Sequence, residues 1–476
     1  MHRKWYRRLT GTVLAAVLSA SLLAGCGQGD TPAPDAGASA QESQSFAESS
    51  AQESESQSET QSSEEESSAE TEQNQEEVPI LKTAVMNTMG CRLGCAVAGL
   101  DLENPNVWDI VTTHFNAVTL GNELKPDAMF GYSNGRCPGL EETELNGETF
   151  LVPKMDYSRA ERMLNKLYDW NQEHPDQKIM VRGHVLLWHA QTPEWFFHVD
   201  YDKNKDYVDK DTMNKRLEWY IRTMLTHFVG EDSKYKDMFY GWDVVNEAIS
   251  DGTNTYRSDN ENPNEPLSQD THGSNSSWWH VYQSNEFIIN AFKYANKYAP
   301  AELELYYNDY NECVEGKMKG IVKLLEAIKA EEGEPGVGTR ITAMGMQGHY
   351  DSTNPSFNMI DLAIKRYAEV VGNVQITELD IKARDSYDGS EEKREEEFKK
   401  NAARYSTIYW VLKAKNKEEG VNITGITFWG TADHLSWLQT RSDVGGGADG
   451  KYPQCPLLFD EFYQPKPSFY VFAKEE

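Results

Sequence analysis

Positive charge is what this sequence most lacks. Against 76 Asp and Glu stand 46 Lys and Arg, giving a formal net charge of −30 over 476 residues. A chain so acidic repels nucleic acid and other polyanions, which excludes them as partners and suits a neutral ligand better. Cysteine is scarce too, with six in all. Cys26 apart, Cys91, Cys95, Cys137, Cys313 and Cys455 form an odd set, so at least one stays unpaired within a monomer and no pairing is assigned. Cys91 and Cys95 do not have zinc-knuckle spacing, and no second pair follows. There is no HExxH helix, and His184 and His189 are five apart on one expected strand, hence on opposite faces. That argues against a catalytic zinc. Neither a G-x-S-x-G elbow for a serine nucleophile nor a Gly-rich phosphate loop is present. The expectation is a monomer working without metal or cofactor.

The apolar run Val13–Leu23 is too short to cross a bilayer comfortably. It follows a basic start (Arg3, Lys4, Arg7, Arg8) and closes on Leu23-Ala24-Gly25-Cys26, which looks like a bacterial lipobox. Residues 1–26 are therefore expected to be a lipoprotein signal, with Cys26 lipidated and the protein anchored on the extracytoplasmic face of the cell membrane. Residues 27–78 are rich in Ser, Glu, Gln and Ala, with no Lys or Arg. Such a segment buries too little apolar surface to fold, and its like charges extend it into a tether.

Residues 79–476 read as the folded domain. Candidate strands are 94–99, 115–120, 179–187, 238–245, 303–308, 341–347, 374–379 and 423–429. Helical spacing separates them: Ala160, Met163, Leu164 and Leu167 recur at i, i+3, i+4 and i+7, as do Ile321, Leu324, Leu325 and Ile328 in kind. Near-continuous apolar strands alternating with amphipathic helices imply a parallel sheet covered on the outside. Eight such units predict a (β/α)8 TIM barrel, with an open doubly wound sheet as the alternative. The polar segments 131–153 and 250–277 read as inserted loops decorating the C-terminal face.

In such barrels chemistry gathers at the C-terminal strand ends. Here those ends read GNELKPD (121–127), RGHVLLWHAQTPEW (182–195), NEA, NDYN (308–311), QGHYD (347–351), TELDI (377–381) and FWG (428–430). They collect Glu, His, Asn, Gln and Trp, the residues that bind and protonate neutral hydroxyl-rich molecules. Glu247 and Glu378, on strands four and seven, would face each other across the mouth. Glycoside cleavage uses two such carboxyls, one to protonate the leaving oxygen and one to attack the anomeric carbon. By strand alternation Glu378 and Asp380 share a face, so His349 could lie between them and keep Glu378 ionised. Asn246 and Glu247 would point to opposite faces of a regular strand. If both reach one sugar, the strand must end or bulge there.

These motifs resemble glycoside hydrolase family 10, the retaining endo-1,4-β-xylanases, from about Ala84 to Phe472. WDVVNEA is similar to the family's acid/base strand, ITELDI to its nucleophile strand, and TFWGTADHLSW (427–437) to its closing aromatic segment. The resemblance implies Glu378 as nucleophile and Glu247 as general acid, then base. It implies Asn246 on the sugar 2-hydroxyl, and His349 and Asp380 orienting Glu378. Asn122, Lys125, His184, Trp188, Gln191, Gln347, Trp429 and Trp437 match positions lining the subsites, with xylan or xylo-oligosaccharides as the partner. One departure stands out: Gly121 replaces the family's usual glutamate before Asn122, and Glu123 could compensate. A related barrel glycosidase on β-glucan or mannan, or a non-catalytic sugar-capture lipoprotein, remains open at this point.

Overall fold

The computed structural model describes residues 78–267, 273–383, 387–440 and 453–474. The expected signal, the lipidated Cys26 and the tether up to residue 77 lie outside these residues. Eight strands take up the apolar runs: β1 (Arg92–Val97), β2 (Ala117–Leu120), β3 (Met180–Gly183), β4 (Phe239–Asn246), β5 (Glu304–Asp309), β6 (Ala343–Met346), β7 (Asn373–Lys382) and β8 (Asn422–Phe428). Each pairs in parallel with the next, and β8 pairs with β1, so the sheet closes. All eight residues of β4 are buried, as continuous apolar strands in a covered barrel require. The fold is a (β/α)8 barrel, and the open-sheet alternative falls.

Amphipathic helices form the outer layer. Ser158–Glu173 buries Ala160, Met163, Leu164 and Leu167, and Glu315–Ala330 buries Ile321, Leu324, Leu325 and Ile328. Inside the barrel Tyr306 donates to Gln375 at 2.9 Å and Gln375 donates to Tyr240 at 2.9 Å, so the polar groups there satisfy one another. Gly345 on β6 marks a close approach: a Cβ there would stand 2.4 Å from Asn308 Oδ1. Gly345→Ala is therefore expected to destabilise by about 1–3 kcal/mol through overpacking. A urea midpoint checks this, and the displaced Asn308 should lower turnover as well.

Two expectations need correction. Strand three does not run unbroken from 179 to 187. It stops at Gly183, whose added Cβ would meet the Trp242 ring at 2.1 Å, and re-pairs as Leu187–Trp188 beside Val245 and Asn246. The break lets His184 turn onto Asp243, so its relation to His189 is not that of residues on one strand. The 131–153 segment is not a plain loop on the rim. Leu140–Leu145 and Glu148–Pro153 form an antiparallel hairpin, turned by Asn146 and Gly147 at φ 53° and 81°. Its tip is tied to the outer layer, where Asn146 donates to Glu218 at 3.0 Å and Arg222 donates to the Glu144 carbonyl at 2.8 Å. All five cysteines from Cys91 onward carry free thiols.

Candidate active site

Two irregularities aim the key carboxyls. β4 slips register against β5 between Asp243 and Val245 and ends at Asn246, and Glu247 then takes φ 56°. The left-handed turn cancels the strand alternation, which is how adjacent residues reach one place. β7 bulges against β8 between Ile376 and Leu379, across Thr377 and Glu378. Bulges of this kind re-aim side chains beside active sites.

The two carboxyls are joined by amides. Asn308 donates to Glu378 Oε1 at 2.7 Å and to Asn246 Oδ1 at 3.0 Å. Asn246 Nδ2 donates to Glu247 Oε1 at 3.0 Å. Gln347 donates to the same Glu247 oxygen at 2.8 Å and to Asn246 Oδ1 at 3.2 Å, while Trp188 Nε1 donates to Glu247 Oε2 at 2.9 Å. Thr377 fixes Asn308 by donating to its Oδ1 at 2.6 Å.

Glu378 is 4% exposed and faces His349, whose Nε2 is 3.2 Å from Glu378 Oε2 and whose Nδ1 is 2.9 Å from Asp380 Oδ1. Burial alone would raise the Glu378 carboxyl. The His349 hydrogen bond and the charges of His184, His349 and Arg182 outweigh it and hold it down at about 2. Burial likewise disfavours a charged His349, but Asp380 and Glu378 raise it to about 10. Glu378 thus lends stability above its ordinary value near 4.5 and loses it as pH falls toward about 2. His349 lends stability below 6.5 and loses it as pH climbs through about 10. His349→Gln is expected to move the acid limb of kcat/KM upward by about one to two pH units, read on an activated aryl glycoside.

Around this pair stand the remaining expected residues. Lys125, 6% exposed, donates to Asn122 at 3.1 Å and Gln191 at 3.0 Å, 5.0 Å from the centre of the Trp188 ring. Burial lowers its ammonium, opposed by nearby Glu378, Asp127 and Glu247. His184 Nδ1 meets Asp243 Oδ2 at 2.8 Å, and Arg182 meets the other Asp243 oxygen at 3.1 Å. Trp437 donates to Asp380 at 2.7 Å with its ring 4.9 Å from His349, and Trp429 lies 5.6 Å from the His184 ring. All the expected site residues within the described chain are thus brought together. Glu123 is held by the backbone amides of Gly99 (2.6 Å) and Asn122 (3.3 Å).

Sequence reasoning passed over four participants. Asn308 was visible in the strand-five end NDYN. Arg182 opens the strand-end stretch 182–195 and Asp243 lies within an apolar strand run; both are wholly buried, and only the fold pairs them. Asp127 accepts from Gln191 at 3.1 Å and holds it toward Lys125.

A closed parallel barrel whose C-terminal mouth holds two carboxyls on strands four and seven, one locked as an anion, is the framework of the two-carboxylate glycosidases. The chain belongs to glycosyl hydrolase family 10, whose family model matches residues 81–475. It is 32% identical over 379 residues to the bifunctional endo-1,4-beta-xylanase XylA of Ruminococcus flavefaciens, covering 79% of this chain and 32% of that one. It is 30% identical over 402 residues to endo-1,4-beta-xylanase A of Thermotoga maritima, covering 84% and 31%. The chain thus spans about a third of the length of these relatives. Among solved structures, the CBM22-1–GH10 modules of a Clostridium thermocellum xylanase complexed with xylohexaose align at 28% identity and TM-score 0.64, covering 83% of this chain and 68% of that one. The GH10 structure from Paenibacillus barcinonensis aligns at 27% and 0.64, covering 83% and 97%.

Proposed function

We propose that this chain is an endo-1,4-β-xylanase cleaving internal β-1,4-xylosidic bonds of xylan with retention of configuration. One observation carries the reading: Glu378 is held ionised by His349 while amides link it to Glu247. In the first step a Glu378 oxygen attacks the anomeric carbon as Glu247 passes its proton to the leaving oxygen. The leaving chain departs and a glycosyl-enzyme ester remains. In the second step Glu247, now a carboxylate, takes a proton from water, and that water displaces Glu378. Asn246 would hold the 2-hydroxyl of the cleaved sugar. Asn122, Lys125, His184, Trp188, Gln191, Gln347, Trp429 and Trp437 would line the subsites.

Xylan as the substrate is supported by the names of the relatives and by the xylohexaose bound to a structural neighbour. Residues 79–476 assayed on xylan, carboxymethylcellulose and mannan decide the matter: release from either of the latter two with none from xylan overturns the substrate. We further propose that Cys26 carries lipid and that the enzyme works tethered outside the cytoplasm, supported by the lipobox and the acidic 27–78 segment. Cys26→Ala should shed activity into the medium. Activity that partitions like wild type with the membrane would refute it.

A further inference from the structure

The turn that carries Glu247 is held by its neighbouring barrel strand and also from outside the barrel. Beyond Asn246 the strand ladder has ended, and a glutamate at φ 56° occupies backbone space that side chains disfavour. Three contacts pin it. The Glu247 amide donates to the Asn308 carbonyl at 2.9 Å. The Tyr307 hydroxyl accepts from the amides of Ala248 and Ile249 at 3.0 and 3.2 Å. The third comes from the 250–277 insertion: Arg257 Nε donates to the Glu247 carbonyl at 3.0 Å, and its own amide to the Ala248 carbonyl at 2.8 Å.

Arg257 is an odd residue for a merely structural clamp. Its side chain is buried, 6% exposed, and its other donors go to the Ser274 carbonyl at 3.2 Å and the Tyr310 hydroxyl at 3.4 Å. No contact it makes among the described residues is a carboxylate, although taking a guanidinium out of water is costly without one. Burial opposes its charge, but the Tyr310 hydroxyl and the nearby carboxyls of Glu247 and Asp309 outweigh the desolvation and keep it protonated. A neutral hydrogen-bonding side chain could satisfy a carbonyl. A buried cation does something more beside a group that becomes an anion during the reaction.

We propose that Arg257 is a positioning residue for proton transfer. It locks the left-handed turn at Glu247, and its charge favours the carboxylate that Glu247 becomes when the leaving oxygen takes the proton. This rests on the reading of Glu247 as general acid. The consequence is selective: Arg257 matters where the leaving group needs a proton and hardly at all where it does not. It also makes the stretch around Arg257 part of the catalytic apparatus, joined to the acid through backbone rather than through substrate.

The test uses the full chain with Arg257→Gln and Arg257→Lys, with Glu247→Ala and wild type as references, on phenyl and 2,4-dinitrophenyl β-xylobiosides. Arg257→Gln should lower kcat/KM for the phenyl substrate by roughly 10- to 100-fold, the scale of a small misplacement of a catalytic group. The dinitrophenyl substrate should lose less than about threefold, because its leaving group needs little protonation. KM should hold within about twofold, and Arg257→Lys should recover part of the loss, since it keeps the charge but a single ammonium cannot span the Glu247, Ser274 and Tyr310 acceptors. Should Arg257→Gln fail to fold by near-UV circular dichroism, Arg257→Lys decides alone, with a smaller loss confined to the phenyl substrate. Equal losses on both substrates, or none on the phenyl one, overturn the proposal. If Glu247→Ala itself shows no leaving-group dependence, the reading of Glu247 fails. If Glu247→Ala shows it and the Arg257 variants do not, only the role of Arg257 is lost.

Discussion

Glu378→Ala is expected to reduce kcat on xylan by roughly 10⁵-fold, the scale of losing a nucleophile in a cooperating set. The side chain carries the covalent bond of the proposed first step, and no neighbour replaces it: Asp380 is engaged by His349 and Trp437, and Glu247 is held by Trp188, Asn246 and Gln347. The alanine leaves space where a small anion can attack in its place. Azide should restore turnover of an activated xyloside and yield the α-glycosyl azide, of inverted configuration, identified by the anomeric coupling in NMR. A variant turning over xylan like wild type would displace Glu378 from the mechanism.

Glu247→Ala should fail differently. On xylan the loss is expected at about 10²–10⁴-fold, the usual worth of general acid catalysis. With 2,4-dinitrophenyl xylobioside the first step should proceed almost unimpaired, while the second lacks its base. The glycosyl-enzyme then accumulates, giving a burst of dinitrophenol equal to the enzyme present and mass spectra displaced by one xylobiosyl group. Azide here intercepts the ester and gives the β-glycosyl azide, of retained configuration. Opposite anomers from the two variants separate nucleophile from acid. The same anomer from both would contradict the assignment.

Much of this was legible in the chain, because a covered parallel strand and an amphipathic helix each leave a period in the sequence. The barrel, the two glutamates and His349 between Glu378 and Asp380 all follow from period and strand-end composition. What escaped depends on departures from period. The hairpin at 140–153 is announced by Asn146-Gly147, a pair suited to a turn with two positive φ values, but the acidic composition around it reads as loop. The meeting of Asn246 and Glu247 requires a strand end plus a left-handed residue, and glutamate carries no mark of that conformation. Arg182 with Asp243 and Arg257 with Glu247 are contacts across strands or from an insertion, which only the closed fold brings about.

The backbone at Glu247 sets stability and catalysis at odds in a single residue. With the carboxyl gone in either case, glycine should be more stable there than alanine by about 1 kcal/mol, since a Cβ is what a left-handed turn disfavours. The replacement best matched to the local chain is therefore one that abolishes proton transfer. A selection reading only expression or heat resistance would drift toward glycine at this position and keep a soluble, well-folded and inert protein. Only a screen coupled to sugar release would hold the glutamate in place.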